Sequence, residues 1–171
     1  DTDGPVTFAA TSNNDSATVS ANSQAQAGSY SFFVEQLAQG QQTTFSMGDD
    51  AFSATGTFEL TMGDSTMDID LSAADQNGDG DGFIDASELV NAINDSDDNP
   101  GVSGALVKTD GTTTIMLTSD STGAQSAFSV SVTGHDASND STSAPVATDV
   151  SSAQDAIIHL GSATGPEITN S

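Results

Sequence analysis

The chain has 171 residues, of which 25 are acidic and one, Lys108, is basic, giving a formal charge of −24. With so little positive charge it cannot neutralise phosphates and release counterions, which excludes nucleic acid and anionic membrane surfaces as partners. It has no cysteine, so disulfides, thiolate zinc sites, iron–sulfur clusters and thiol nucleophiles drop out together, and oxygen is nearly the only ligand atom left.

Ser, Thr and Asp make up 67 of the 171 residues and favour turns, caps and exposed strand faces over helix interiors, so a mainly β chain is expected. The apolar residues fall in alternating runs, which marks the chain as folded. It contains no long apolar run and no basic-then-apolar leader, so neither membrane insertion nor a secretory signal is expected. The uniform acidity suits an extracellular or saline setting.

Residues 1–16 are polar and read as a flexible end. Over residues 29–37 the chain alternates, placing Tyr30, Phe32, Val34 and Leu37 on one side as the core face of a strand. Phe58, Leu60 and Met62, then Met67, Ile69 and Leu71, form two period-two runs around Gly63-Asp64-Ser65-Thr66, which predicts a hairpin with Glu59, Asp68 and Asp70 facing solvent. Leu89, Val90 and Ile93 change the period to that of a helix, predicted over residues 86–94 with Asp85 or Ser87 as its cap. The acidic run Asp95, Asp97, Asp98 and the following Pro100-Gly101 end it. Strands are predicted over residues 102–107, 113–118, 127–132 and 156–160, with a polar connection over residues 134–152 and a weak strand signal at Ile168.

The most specific stretch runs from Asp75 to Glu88 and resembles an EF-hand calcium loop. With Ile84 at the apolar eighth position and Glu88 at the twelfth, Asn77, Asp79 and Asp81 take the first, third and fifth positions and Gly82 the sharp turn. Phe83 would offer its backbone carbonyl, Asp85 would act directly or through water, and Glu88 would supply both carboxylate oxygens. An all-oxygen shell of this kind suits a structural calcium ion, whereas magnesium demands tighter geometry and zinc or copper would want imidazoles or thiolates. Two features depart from the pattern: Asn77 stands where Asp is usual, and a start at Asp75 also fits but leaves two extra residues before Phe83. The segment ahead reads as a strand, so a strand–loop–helix site is expected.

Other candidates for chemistry are weaker. Asp95, Asp97 and Asp98 read as a solvated run. His135 beside Asp136 has no nucleophile elbow to complete a triad, and His159 lies in an apolar strand as a packed or edge residue. Phe32, Phe33, Phe58 and Phe128 read as core. No catalytic residue is assigned, and an enzyme is not expected.

The order hairpin, Asn91-Ala92-Ile93-Asn94, Asn99-Pro100-Gly101-Val102, Leu117-Thr118-Ser119, Thr122-Gly123 and Ala127-Phe128 resembles the flagellin hook IN motif. Upstream, Ala17-Thr18-Val19-Ser20, Ala27-Gly28-Ser29-Tyr30 and Val34-Glu35-Gln36-Leu37-Ala38-Gln39 resemble the section that precedes this motif in the hook-associated protein 2 family of filament caps. Downstream, Ala153-Gln154-Asp155-Ala156 and Ile168-Thr169-Asn170-Ser171 are similar to the section that follows it. The resemblance implies the middle of a longer protein: a mainly β fold with one short helix (α+β), built as two small β-rich domains, one inserted in the other. The outer domain would comprise residues 17–44 and 150–171, and the insert residues 45–135. It also implies extracellular location at the filament tip, flagellin as partner, other copies of the cap in a ring, and, in some members, contact with a host surface. The alternative is a calcium-stabilised adhesive or variable domain of a surface protein or flagellin.

Overall fold

Strands dominate the computed structural model, which describes residues 28–46, 52–76, 78–109, 112–134 and 147–170. In chain order they are β1 (Phe32–Gln36), β2 (Gln42–Ser46), β3 (Phe52–Ser53), β4 (Thr57–Met62) and β5 (Ser65–Asp70), then the one-turn helix α1 (Leu71–Asp75) and β6 (Phe83–Ile84). Helix α2 (Ala86–Asp95) follows, then β7 (Val102–Thr109), β8 (Thr112–Ser119), a 3-10 turn (Ala124–Ser126), β9 (Phe128–Thr133), β10 (Ala147–Ser151), β11 (Ala156–Leu160) and β12 (Glu167–Asn170). All strand pairs are antiparallel, in sheets ordered β1-β11-β12, β10-β2-β8-β7, β3-β6 and β5-β4-β9.

The hairpin expected from the period-two runs is β4–β5, closed by Gly63-Asp64, with Gly63 at φ +57° where a side chain would be strained. Its inward face, Phe58, Leu60, Met67 and Ile69, is buried, while Glu59, Asp68 and Asp70 are exposed. Phe45 of β2 meets Phe58 of β4 edge to face at 5.9 Å, so the sheets containing β2 and β4 press on one another. Ile115 and Leu117 of β8 and Leu89, Val90 and Ile93 of α2 complete that core. Asp85 caps α2 by accepting from the Ser87 and Glu88 N–H groups at 2.7 and 2.8 Å, and Glu88 returns the bond by accepting from the Asp85 N–H at 2.9 Å. Asn99 closes the other end: its side-chain amide donates to the carbonyls of Ile93 and Val102.

Three expectations are corrected. Tyr30, Phe32, Val34 and Leu37 do not form a core face: they are 77, 49, 39 and 63% exposed, and Phe33 is exposed as well. The alternation made a strand, but no second layer of the described residues covers it. Residues 42–44 and 147–151, expected in the outer domain or in the connection before it, lie instead in the four-stranded sheet as β2 and β10. What holds them there is polar. Gln41, 5% exposed, donates to the Phe128 carbonyl at 2.7 Å and the Thr43 hydroxyl at 2.9 Å, and accepts from the Phe128 N–H at 3.0 Å, while Thr43 donates to Asp149 at 2.7 Å. The chain therefore changes sheets at the paired Gln39 and Gln154, whose backbones exchange bonds of 2.8 and 2.9 Å. Finally, Leu71 ends the alternating run by entering α1 rather than prolonging β5. Asp70 caps this turn through the Ser72 N–H and hydroxyl, and those bonds, with a weaker one from the Ala73 N–H, hold its carboxyl below the usual range. The flexible end expected over residues 1–16 lies outside the described residues.

Candidate metal centre

The acidic loop leaves the core at Asp75, the last residue of α1, and returns to it at Ile84, which is fully buried in β6. Leu71 and Ala74 are buried on α1, and β6 pairs with β3, so both ends of the loop are anchored. Between them Gly80 and Gly82 take φ values of +68° and +90°, turning the chain back on itself. The Asp81 N–H donates to the Asp79 carboxylate at 3.2 Å and the Phe83 N–H to the Asp81 carboxylate at 2.8 Å, which ties both side chains to the turn backbone.

The carboxylate oxygens of Asp75, Asp79 and Asp81 lie within 4.8 Å of one another. That is inside the ~5 Å separating opposite ligands on one calcium ion. Asp79 and Asp81 are exposed, but Asp75 is only 2% exposed. One Asp75 oxygen accepts from the Gly82 N–H at 3.1 Å across the loop; the other, Oδ1, is buried with no hydrogen-bond partner. Such an atom has lost water and gained nothing, which is costly for a carboxylate.

Glu88 presents a second atom in this condition. Its Oε2 is taken by the Asp85 N–H, while Oε1 is buried without a partner. Its carboxylate lies over Gly78: a Cβ built there would overlap Oε1. Burial pushes the Glu88 carboxyl above its usual range; the bond from Asp85 opposes this, and repulsion from Asp85, Asp75 and Asp79 adds to it. Glu88 therefore feels Asp75 and Asp79 of that cluster.

The other expected ligands are distributed differently. Phe83 sits in β6 with its ring partly exposed. Asp85 is engaged as the α2 cap; burial raises its carboxyl, but the Glu88 and Ser87 N–H groups and the Ser87 hydroxyl outweigh this and hold it low. Asn77 lies outside the described residues. Asp75 belongs to the alternative start of the loop rather than to the ligand set counted back from Glu88, and it stands two residues before Asn77 and four before Asp79. Asp95, Asp97 and Asp98 belong to no convergent group among the described residues. His135 lies outside them.

His159 is 8% exposed in β11, where its Nε2 meets the Glu35 carboxylate at 2.5 Å and its Nδ1 the Gly165 carbonyl at 3.1 Å. The Glu35 bond, then the Gly165 bond, raise its pKa against a smaller opposing effect of burial. This is a packed polar contact of the β1-β11-β12 sheet. No helix of the described residues is long and apolar enough to cross a membrane.

Comparison with known proteins agrees with the fold. Residues 2–41 match the family model described as the flagellar hook-associated protein 2 N-terminus. The chain is 40% identical over 160 residues, 90% of its length, to the lateral flagellar hook-associated protein 2 of Vibrio parahaemolyticus serotype O3:K6 (strain RIMD 2210633), and spans 36% of that relative. Among solved structures it is similar to the D2–D3 domains of the flagellar cap protein FliD from Escherichia coli, with TM-score 0.63 and 27% identity, covering 86% of this chain and 76% of that one. The fold also matches the FliD D2–D3 domains from Serratia marcescens, with TM-score 0.61 and 23% identity over 88% of this chain and 81% of that one.

Proposed function

The chain belongs to the flagellar hook-associated protein 2 family, and on that premise we propose that it is the exposed middle region of a filament cap, a structural part that supports addition of flagellin at the filament tip outside the cell. The observation that carries this is extent: the likeness runs through 90% of the chain, in one order, to a hook-associated protein. Its partners in the full-length protein are flagellin and further copies of the cap arranged in a ring. The role is mechanical rather than enzymatic.

In this reading the β1-β11-β12 sheet is the outer domain and the remaining sheets with α2 form the insert. Two chain crossings join them, and the joint is tied by more than the Gln39–Gln154 pair: Asp155 accepts from the Ala124 N–H at 2.6 Å, and Gln36 donates to the Asp155 carbonyl at 2.8 Å. A doubly tethered, hydrogen-bonded joint resists bending, as a part that projects from a growing filament requires. Removing residues 28–170 from the full-length protein should leave cells with few or no filaments and with unpolymerised flagellin in the medium, restored by the intact gene. Ordinary filaments on such cells would contradict the proposal.

We also propose a structural calcium ion in the loop between α1 and α2. The buried, partnerless Oδ1 of Asp75, on a carboxylate grouped with those of Asp79 and Asp81, supports it, because a divalent ion would satisfy such an atom and remove the repulsion among the acids. Chelation should then lower the melting temperature, and Glu88→Gln should remove most of that sensitivity; equal melting with calcium chloride and with chelator would contradict the site.

A further inference from the structure

An ordinary calcium loop starts twelve residues before its final glutamate finishes, which here would make Asn77 the first ligand. The structure assigns that role elsewhere: we propose that Asp75, two residues earlier, is the first ligand, so that the ion-binding loop runs from Asp75 to Glu88 and clamps the end of α1 to the start of α2. This rests on the calcium reading above and goes beyond it in naming the ligand, the loop length and the two elements the ion joins.

Four observations converge on Asp75. Gly82, the turn glycine of the frame set by Glu88, sends its N–H across the loop to Asp75 Oδ2, so the loop closes on that carboxylate. The other oxygen of the same carboxylate is buried and partnerless, and the carboxylate groups with those of Asp79 and Asp81. The backbone wraps the same residue, for the Asp75 carbonyl accepts from the Gly78 N–H at 2.9 Å and the Gly80 N–H at 3.3 Å. Asp75 is also the one carboxylate of this group fixed by the core, since Leu71 and Ala74 on its own helical turn are buried. Asp79 and Asp81 ride on the exposed loop and reach Asp75 by the turn at Gly80 and Gly82.

The spacing from Asp79 to Glu88 is the ordinary one. A first ligand with full negative charge replaces a neutral carboxamide, so the proposed ligand set joins the convergent carboxylates of Asp75, Asp79 and Asp81 to Glu88, the final residue of the loop. Affinity in such loops rises with ligand charge. Because Asp75 ends α1 and Glu88 lies in the first turn of α2, an ion held by both would fix the angle between them.

The test compares Asp75→Asn and Asn77→Ala with the unaltered chain by calcium chloride titration calorimetry and by melting with and without chelator. The unaltered chain should melt higher with calcium. Asp75→Asn keeps an oxygen for the Gly82 N–H, so a residue with only that structural role would tolerate it; we expect calcium affinity to fall at least about tenfold, the melting shift to vanish, and melting in chelator to be unchanged or higher. Asn77→Ala should change affinity by less than about threefold. Asp75→Asn that binds calcium as tightly as the unaltered chain would overturn the assignment while leaving the site standing. An unaltered chain indifferent to calcium would overturn the site and the assignment together. Should Asp75→Asn fail to fold, carbon-13 NMR of the unaltered chain decides: the Asp75 carboxyl resonance should shift on adding calcium chloride, and a fixed resonance while Asp79 and Asp81 shift would overturn the assignment.

Discussion

The outer sheet and the central section are written in the same alphabet of alternating apolar residues, yet they bury them very differently. In the central section Phe58, Leu60, Leu117 and Ile93 are each at 0% exposure because β4, β8 and α2 face one another. In β1 the same alternation leaves Phe32 and Val34 open, with Leu37 just beyond the strand open as well, and the least exposed side chain on its partner β11 is a histidine. Period two decides that a strand forms; burial depends on whether a second layer arrives. The central section is thus held by apolar packing, and the outer sheet by backbone pairing and polar contacts.

Truncation should expose this difference most. Leu60→Ala, in the fully buried hairpin, is expected to cost ~2–5 kcal/mol in chemical denaturation. Phe32→Ala, in the half-open strand, should cost about 1 kcal/mol or less. Equal costs would mean that β1 is covered by a layer of its own. Next in size is Gln41→Ala, which orphans the Phe128 N–H and carbonyl inside the joint of β2 and β9, at roughly 1–3 kcal/mol. Gln41→Glu should be no better, since a carboxylate cannot donate to the Phe128 carbonyl.

The smallest effect is expected in the outer sheet and depends on pH. His159 faces Glu35 and the Gly165 carbonyl, with Glu167 nearby, and its pKa is raised on folding. A raised histidine pKa means its contribution is fully present below the unfolded value of ~6.5 and is lost as pH rises through the higher folded value. Stability followed by a probe in β1 or β11 should therefore fall as pH rises above the unfolded value and through the folded one, and His159→Asn should flatten the profile. A profile unchanged by that substitution would remove the pair from the account.

The hairpin and α2 were legible because local pattern and final burial agree there: Phe58 and Leu60 alternate into the core, and Leu89, Val90 and Ile93 form one stripe above a capping box. Strands β2 and β10 were not legible, because Gln42-Thr43-Thr44 and Thr148-Asp149 carry too little apolar signal. They are fixed by pairing with β8 and by the Gln41 side chain, whose partners lie far along the chain. The short helix α1 was hidden because Met67, Ile69 and Leu71 continue one period-two run across its start; the local clue was Asp70 two residues before Ser72. That concealment also explains the candidate site. Asp79, Asp81 and Glu88 could be placed by counting back from the helix, but the burial of Asp75 follows from α1, and so could not be counted.

Amide hydrogen exchange tests the contrast between the two regions most directly. The account predicts that amides of β4 and β8 exchange far more slowly than those of β1 and β11, and that calcium chloride slows residues 75–88 and the first turn of α2 while leaving β1 and β11 unchanged. An outer sheet as protected as the central strands, or a calcium effect absent from the loop, would contradict it.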